Sequence, residues 1–348
     1  MDCLITKLKG TVNDGSLPKL GSMLFNLRTT TTNLVKIEAI GKDVSFSSAD
    51  GSNVFSISSG GEDKTNVINV GESNTVFYVD ASNGITISID NKYNLEKLDV
   101  YRSSDTNELT VDLNFEDLKY CKKLNWLALS YMRLTGDISA LQNLTALTTI
   151  YLNSTQVTGD ISALQNLTAL TNVALYGTQV TGDISALQNL TALTDIRLDG
   201  TQVTGDISAL QNLTALTNVA LYGTQVTGSL DSLANLPSGL TFDMGNITLS
   251  GDYFKFLNER TNSDVVCSGN FNYTTKSWSG KSYRRIGGDD FTCNNLDNFL
   301  NDVQVVSVSS TNSAVSPSIR MKGARTSASD AAVSALQSKG FTVSITEA

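Results

Sequence analysis

The chain has 348 residues and contains no histidine. That removes the commonest general base, the commonest zinc ligand and every Ser-His or Cys-His nucleophile pair. There are only three prolines, and the 26 glycines follow no Gly-X-Y period, so Pro-rich and collagen-like readings fail. Charged residues make up only 17%, and hydrophobic residues 40%, a foldable and unusually neutral-polar mix. No apolar run approaches the roughly 18 residues of a membrane helix, so no membrane insertion is expected. A net charge of −9 argues against a phosphate-backbone partner, so no nucleic acid is expected either. The opening MDCLITKLKGTVNDG has lysines but no apolar h-region and no small-residue cleavage site, so a secretory route is not expected. The length suggests roughly two domains.

Cysteine is sparse: Cys3, Cys121, Cys267 and Cys293. No two form a CxxC pair, which leaves zinc and thioredoxin-type sites without support. Cys267 and Cys293 allow a disulfide, but buried free thiols are favoured.

What the sequence has in abundance is repetition. The segment LTALTTIYLNSTQVTGDISALQN runs from Leu144 to Asn166 and returns at Leu167, Leu190 and Leu213, a period of 23. A divergent copy covers Cys121 to Asn143, and a degenerate one with an inserted residue covers Leu236 to Glu259. Repeats of 20–29 residues with L-x-x-L-x-L are the signature of a leucine-rich repeat solenoid. In one unit, Leu144, Leu147, Ile150, Leu152, Val157, Ile161 and Leu164 are apolar at fixed offsets. Ile150 and Leu152 alternate with polar neighbours, which predicts a short half-buried strand. Asp160 before ISALQ predicts an N-cap and a short helix or 3₁₀ turn. One unit cannot bury its own apolar face; stacked units can.

The resemblance to leucine-rich repeat proteins covers roughly Leu95 to the C-terminus and is specific across 121–259. Thr155, Thr178, Thr201 and Thr224 stand where that family usually has asparagine, which predicts a threonine hydroxyl ladder in its place. More narrowly, the TQVTGDIS-type repeat and the opening LITKLKGTVNDGSLPKLG resemble proteins of anaerobic gut bacteria and their tailed phages. That resemblance implies a virion setting, with the bacterial cell surface or the cytoplasm as alternatives.

The flanks differ in texture. Residues 1–93 carry runs such as LVKIEAI, TVFYV and ITISI between Gly/Asn/Asp/Ser turns, which predicts an antiparallel, sandwich-like β-domain. Asn94 to Tyr120 fits a degenerate first repeat joining the two parts. Beyond 260, SYRRIGG, VVSVSS, SIRMKG and FTVSI read as strands and NNLDNFLNDV as a helix. Ser327 or Ser329 is expected to cap the helix SDAAVSALQSK, and Gly340 to end it. The expected fold is therefore β-rich α/β. It comprises an N-terminal antiparallel β-domain over 1–93, a leucine-rich repeat solenoid with a right-handed parallel sheet and short helices over 94–259, and degenerate repeats with a C-terminal cap over 260–348.

Comparison of the copies locates the candidate site. Thr155 to Thr171 recurs unchanged as Thr178 to Thr194 and Thr201 to Thr217. The intervening sextets are TIYLNS, NVALYG, DIRLDG and NVALYG, so variation is confined to a few places per unit. Three of these alternate with the buried pair and point outward from the strand, onto the face that is concave in this family. The candidate ligand-binding residues are Trp126, Tyr151, Asn153, Asn172, Tyr176, Asp195, Arg197, Asp199, Asn218 and Tyr222. Their Tyr, Asn, Asp and Arg content matches that of a paratope. Neutral drift is the competing reading, but it would not spare exposed Gln156, Ser162, Gln165 and Thr168 while altering one face.

Asp137, Asp160, Asp183 and Asp206 form a second column, read as helix caps in preference to a calcium row. Lys281, Arg284 and Arg285 read as a solvated strand face in preference to an anion site. Nothing in the sequence places two of the 34 acidic residues in unlike environments, as a glycosidase pair requires. No catalytic residue, metal or cofactor is assigned, and an enzyme is not expected.

The expected function is a non-enzymatic binding module, a virion-associated adhesion or receptor-binding protein such as a tail or head fibre component. Residues 1–93 would attach it to other virion or surface-assembly proteins, and the solenoid would meet a host-surface protein or glycan. Oligomerisation is compatible with this arrangement. The alternatives are a structural virion component whose solenoid packs against other subunits, or a bacterial protein–protein adaptor.

Overall fold

The computed structural model describes residues 23–29, 34–41, 44–48, 55–56, 64–65, 67–73, 75–80, 85–90, 92–101, 109–260, 263–274, 276–279, 281–308 and 316–347. Cys3 and the opening LITKLKGTVNDGSLPKLG lie outside them. The chain divides into two compact units, Met1–Gly159 and Asp160–Ala348.

In the first unit, short alternating runs form strands because each can turn one face to a core. They are β1 (Met23–Thr29), β2 (Leu34–Gly41), β3 (Val44–Ser48), β4 (Phe55–Ser56), β5 (Lys64–Thr65), β6 (Val67–Val70), β7 (Thr75–Asp80), β8 (Ile85–Asp90), β9 (Leu95–Tyr101) and β10 (Leu109–Leu113). One antiparallel sheet has the order β10-β1-β8-β3-β6, and a second runs β9-β2-β7-β4-β5. Phe46, Ile87 and Ile89 of the first and Ile37, Phe77 and Val79 of the second are fully buried. Phe46 meets Phe77 edge-on, with ring centroids 5.0 Å apart, so the sheets pack as a sandwich.

Residues 94–120 form the expected degenerate repeat in part, with β9 in the place of its strand and a 3₁₀ turn at Phe115–Tyr120 in the place of its turn. β9 does make the junction: it pairs antiparallel with β2 and parallel with β11 (Trp126–Ala128). β10 instead returns to the sandwich and pairs antiparallel with β1, because its alternating LTVDL supplies a face that a sheet edge can take up. Beyond it come β12 (Thr135–Asp137), β13 (Thr149–Tyr151) and β14 (Gln156–Asp160). β13 continues the parallel row beside β11, and β14 pairs in parallel with β12 in a second, shorter sheet.

The second unit repeats this rung. Its main strands are β15 (Asn172–Ala174), β17 (Asp195–Arg197), β19 (Asn218–Ala220), β21 (Thr241–Thr248), β22 (Ser263–Asn272), β23 (Ser282–Asn294), β25 (Ser318–Lys322) and β26 (Thr342–Thr346), parallel and in that order. β16 (Gln179–Asp183), β18 (Gln202–Asp206) and β20 (Gln225–Thr227) form the companion sheet. β24 (Ser307–Val308) adds a short pairing to β23 and is, among the described residues, the strand formed within VVSVSS. The chain is thus an antiparallel β-domain followed by a leucine-rich repeat solenoid. Ile150, Leu152, Val173, Leu175, Ile196 and Leu198 are fully buried, as the alternation requires.

Two glycine columns show why the repeat has its spelling. Gly177, Gly200 and Gly223 sit at φ of 66°, 65° and 68°, where the chain turns off the strand in the left-handed region. Tyr131 and Ser154 occupy the same place in the first unit at φ of 60° and 54°, with the strain a side chain brings there. Gly182 and Gly205 lie against the aspartate of the preceding rung: a Cβ on Gly205 would come within 2.5 Å of Asp183 Oδ1. Those aspartates are caps. Asp137, Asp160, Asp183 and Asp206 each accept the N–H two residues on, at 2.8 Å, at the start of a four-residue 3₁₀ turn.

The threonine column behaves differently from expectation. Thr155, Thr178, Thr201 and Thr224 are buried, but each donates to the carbonyl three residues earlier in its own rung, at 2.6–2.8 Å. A hydroxyl is too short to reach the next rung from there. The bonds between rungs come from another column, with Thr194 Oγ1 donating to Thr171 O and Thr217 Oγ1 to Thr194 O, both at 3.0 Å.

Longer rungs close the second unit. Helices α1 (Tyr253–Asn258), α2 (Leu296–Val303) and α3 (Asp330–Ser338) replace the 3₁₀ turns, and the core becomes aromatic, with Tyr253, Phe254, Phe271, Phe291 and Phe299 in mutual contact. Ser329 precedes α3 but does not cap it with its side chain; its hydroxyl donates to Asp297 at 2.6 Å instead. Thr326 caps the short turn before it. Gly340, at φ of 96°, ends α3. Cys121, Cys267 and Cys293 are buried free thiols. Burial raises the first and third to about 12 and pushes Cys267 upward too, which leaves them unreactive.

Two substitutions should move stability in opposite directions in urea titrations. Asp206→Ala removes a cap and should cost about 1 kcal/mol. Ser154→Gly relieves about 1–2 kcal/mol of left-handed strain against about 0.5–1 kcal/mol of glycine entropy, and should stabilise by up to about 1.5 kcal/mol.

Candidate functional site

The candidate residues lie on the face of the parallel strands that turns away from the leucine core. In the first unit, Trp126 and Tyr151 occupy adjacent strands and meet edge-on, with centroids 5.6 Å apart. The Trp126 indole N–H donates to Asp99 Oδ2 at 3.1 Å, and the Lys97 ammonium stands 5.4 Å above the ring. Lys97 also reaches Glu38 on β2 at 2.8 Å, and Glu38 accepts from Lys36 at 2.6 Å. A charged row therefore runs from the β-domain strand onto the first repeat. Asp99 is buried, and its negative charge is offset by Lys97 4.0 Å away.

Asn153 does not belong to a displayed surface. It is only 5% exposed; its Oδ1 accepts from the Ser130 hydroxyl at 2.6 Å and its carbonyl from the Tyr131 N–H at 2.8 Å. The turn after the strand folds over this position, so outward alternation does not deliver exposure there. Thr149 and Ala174, also variable, are buried as well.

In the second unit the outward residues form a connected set. β17 and β19 set Asp195 beside Asn218 and Arg197 beside Ala220. Arg197 donates from Nε to Asp195 at 3.1 Å, and Asn218 Nδ2 donates to the same carboxylate at 2.6 Å. Asp199 accepts from the backbone N–H of Tyr222 at 3.0 Å. Partial burial holds the Asp199 carboxyl above the usual range, with a smaller upward push from Asp243. Asn172 and Tyr176 are half-buried on the preceding strand, where Asn172 donates to Thr171 Oγ1 at 2.9 Å.

The comparison of near-identical copies missed the next strand. Asp243 on β21 lies in register with Ala220 and pairs with Arg285 of β23 at 3.0 Å. Asn246 donates to the Tyr222 hydroxyl at 2.6 Å. Gly245 lies under the Tyr222 ring: a Cβ there would meet Cδ2 at 2.8 Å. These residues sit in the degenerate copy, whose FDMGN could have been aligned with the earlier sextets. Arg285 is thus partnered across the sheet, in line with a strand-face reading of the basic cluster. The Arg284 side chain lies outside the described residues. Among the described residues no group of three His, Cys, Asp or Glu is placed to hold a metal ion.

No protein-family model matches the chain, and no curated protein matches it. Similar solved structures include the plant peptide hormone receptor RGFR1 in complex with RGF2, at 18% identity and a TM-score of 0.46, covering 67% of this chain and 36% of that one. An internalin, inlF, from Listeria monocytogenes matches at 19% identity and a TM-score of 0.38, covering 68% of this chain and 85% of that one. A plant ice-binding protein matches at 23% identity and a TM-score of 0.39, covering 55% and 59%. The chain spans about a third of the length of the plant receptor ectodomains it matches. The fold assignment rests on the chain's own 23-residue repeat and the parallel pairing of its rungs.

The carboxylates predict two opposite pH effects. Ser162 and Ser208, through hydroxyl and N–H, hold Asp160 and Asp206 below the usual range. Their contribution is present above the unfolded value near pH 4 and is lost as pH falls through the lower folded value. Asp199 is raised, so its contribution is favourable at low pH and is lost as pH rises from about 4 through the folded value. Thermal melts of Asp199→Asn, which keeps an acceptor for Tyr222, should show a gain over the parent at pH 7 that disappears at pH 3.

Proposed function

We propose that the chain is a non-enzymatic binding module whose recognition surface is the outward face of the solenoid strands. One observation carries this reading: three copies share seventeen consecutive residues, while the changes between them fall on Asn172, Tyr176, Asp195, Arg197, Asp199, Asn218 and Tyr222 and their neighbours. Core packing does not demand that variety, because the buried pairs beneath are near-invariant in character. Selection on a contact surface accounts for it. The side chains suit the task, with Tyr222 48% exposed and flanked by charged and amide groups already bonded to one another.

In its finer form the proposal is a virion-associated adhesion protein that presents this face to a bacterial host surface. The resemblance of the TQVTGDIS repeat to those of gut bacteria and their phages supports that setting. The β-domain is the attachment element in this reading. Its open strand edges suit docking by strand addition, and the Lys36–Glu38–Lys97 row ties it to the first repeat.

The test uses fluorescently labelled full-length protein and a panel of anaerobic gut bacteria. The Tyr176→Ala/Tyr222→Ala double variant should change stability by under about 0.5 kcal/mol per site, since neither ring packs in the leucine core. Cell binding should fall at least tenfold. A folded double variant that binds as well as the parent would remove the outward face as the recognition surface.

A further inference from the structure

Within that reading, the geometry points to the ligand class: we infer that the face around Ala220 binds a neutral saccharide, with Tyr222 as the stacking platform and Asn218, Asp195 and Arg197 as the hydroxyl-binding groups.

The platform is built. Tyr222 is an exposed aromatic side chain, and exposed aromatics ordinarily move among rotamers. This one is held at three points. Its hydroxyl accepts from Asn246 Nδ2, its backbone N–H is taken by Asp199, and its ring lies over Gly245, where any side chain would collide with it. The Cδ2–Cε2 edge of the ring is therefore set against the backbone of the next strand while nearly half of the residue stays open to solvent. A ring fixed in that way offers an apolar surface with little ordering cost on binding, which suits the C–H face of a pyranose.

Beside the platform is a notch. The outward residues are Asn218 and Ala220 on β19 and Tyr222 just after it, and the strands on either side place Arg197 and Asp243 in register with Ala220. A methyl group thus forms the floor between an arginine and an aspartate. With neighbouring strands about 4.8 Å apart, the flanking positions are about 10 Å apart. The walls are an amide, a carboxylate and a guanidinium, the planar groups that bond vicinal hydroxyls in pairs.

Charge selects against other ligands. Arg197 is paired with Asp195, and Arg285 with Asp243. A phosphate or sulfate would have to break those pairs in the presence of three carboxylates, Asp195, Asp199 and Asp243. A cationic peptide would meet two guanidinium groups. An extended peptide adding a strand finds no edge here, because β19 is paired on both sides. A neutral polyhydroxylated ligand breaks no ion pair and can both donate to carboxylates and accept from Arg197 and Asn218.

The experiment uses bacteria from the panel above that bind the labelled full-length protein. Cells are treated with periodate, which cleaves vicinal diols of glycans, or with a broad protease, and binding is measured again. The inference expects periodate to reduce binding at least tenfold and protease to leave it within twofold. It also expects Ala220→Leu, which fills the notch while removing no group, to lose binding at least tenfold with an unchanged circular dichroism spectrum and melt. Protease-sensitive, periodate-resistant binding would overturn the saccharide assignment while leaving the outward face as the binding surface. Periodate-sensitive binding that Ala220→Leu leaves intact would overturn the placement at this notch. If no bacterium in the panel binds the parent protein, the adhesion reading fails, and this inference with it.

Discussion

Each rung of this protein leaves one leucine-lined side that only another rung can cover. A single 23-residue unit places Leu167, Leu170, Val173, Leu175, Val180, Ile184 and Leu187 in full burial, yet none could be buried by its own unit alone. The stack therefore has to continue or be closed. At the N-terminal side β9 meets the difficulty by pairing along both edges, parallel to β11 on one side and antiparallel to β2 on the other. In the second unit the rungs lengthen after β21, and helices with an aromatic core around Tyr253, Phe254 and Phe291 take over from leucine and 3₁₀ turns.

The polar groups inside this stack are satisfied by short, repeated side chains. The buried threonine column answers carbonyls within its own rung, a second threonine column bonds the carbonyl of the preceding rung, and the aspartates cap the turns. Because Asp183 fills the space above Gly205, the capping residue and the glycine of the next rung are constrained together. Arg260, at the end of the regular repeats, is satisfied only in part, its buried Nε having no hydrogen-bond partner among the described residues. Buried and held at about 10 by desolvation, it spans from the Leu233 carbonyl to that of Phe256 and lies over the Phe256 ring. None of these devices uses the outward strand face, so that face can change without disturbing the stack.

Much of this was legible in the sequence for a simple reason: a repeated unit states its own periodicity. The period of 23, the buried pairs, the capping aspartates and the free thiols followed from spacing and residue type alone. The antiparallel character of the N-terminal strands followed from their alternation. The variable columns were visible because near-identity elsewhere made every difference informative. The strand containing Asp243 escaped because its copy had drifted.

Other features were decided only by the folded chain. Which carbonyl a threonine hydroxyl reaches depends on distances of a few ångströms that no spacing encodes, and the ladder expected in one column lies in another. Alternation set Asn153 on the outward side, but the turn closing over it buried it. Residues 109–113 read as part of a repeat, yet pair with β1, because strand partners at long sequence separation are chosen by which edge is open. Ser327 or Ser329 was expected to cap a helix, but the Ser329 hydroxyl donates to Asp297, a carboxylate that only folding brings near. The sequence determined the period, the core and the face that varies, because those are local and repeated. The tertiary structure decided the partners of each polar group and the locked ring of Tyr222 over Gly245, because these depend on contacts between neighbouring rungs.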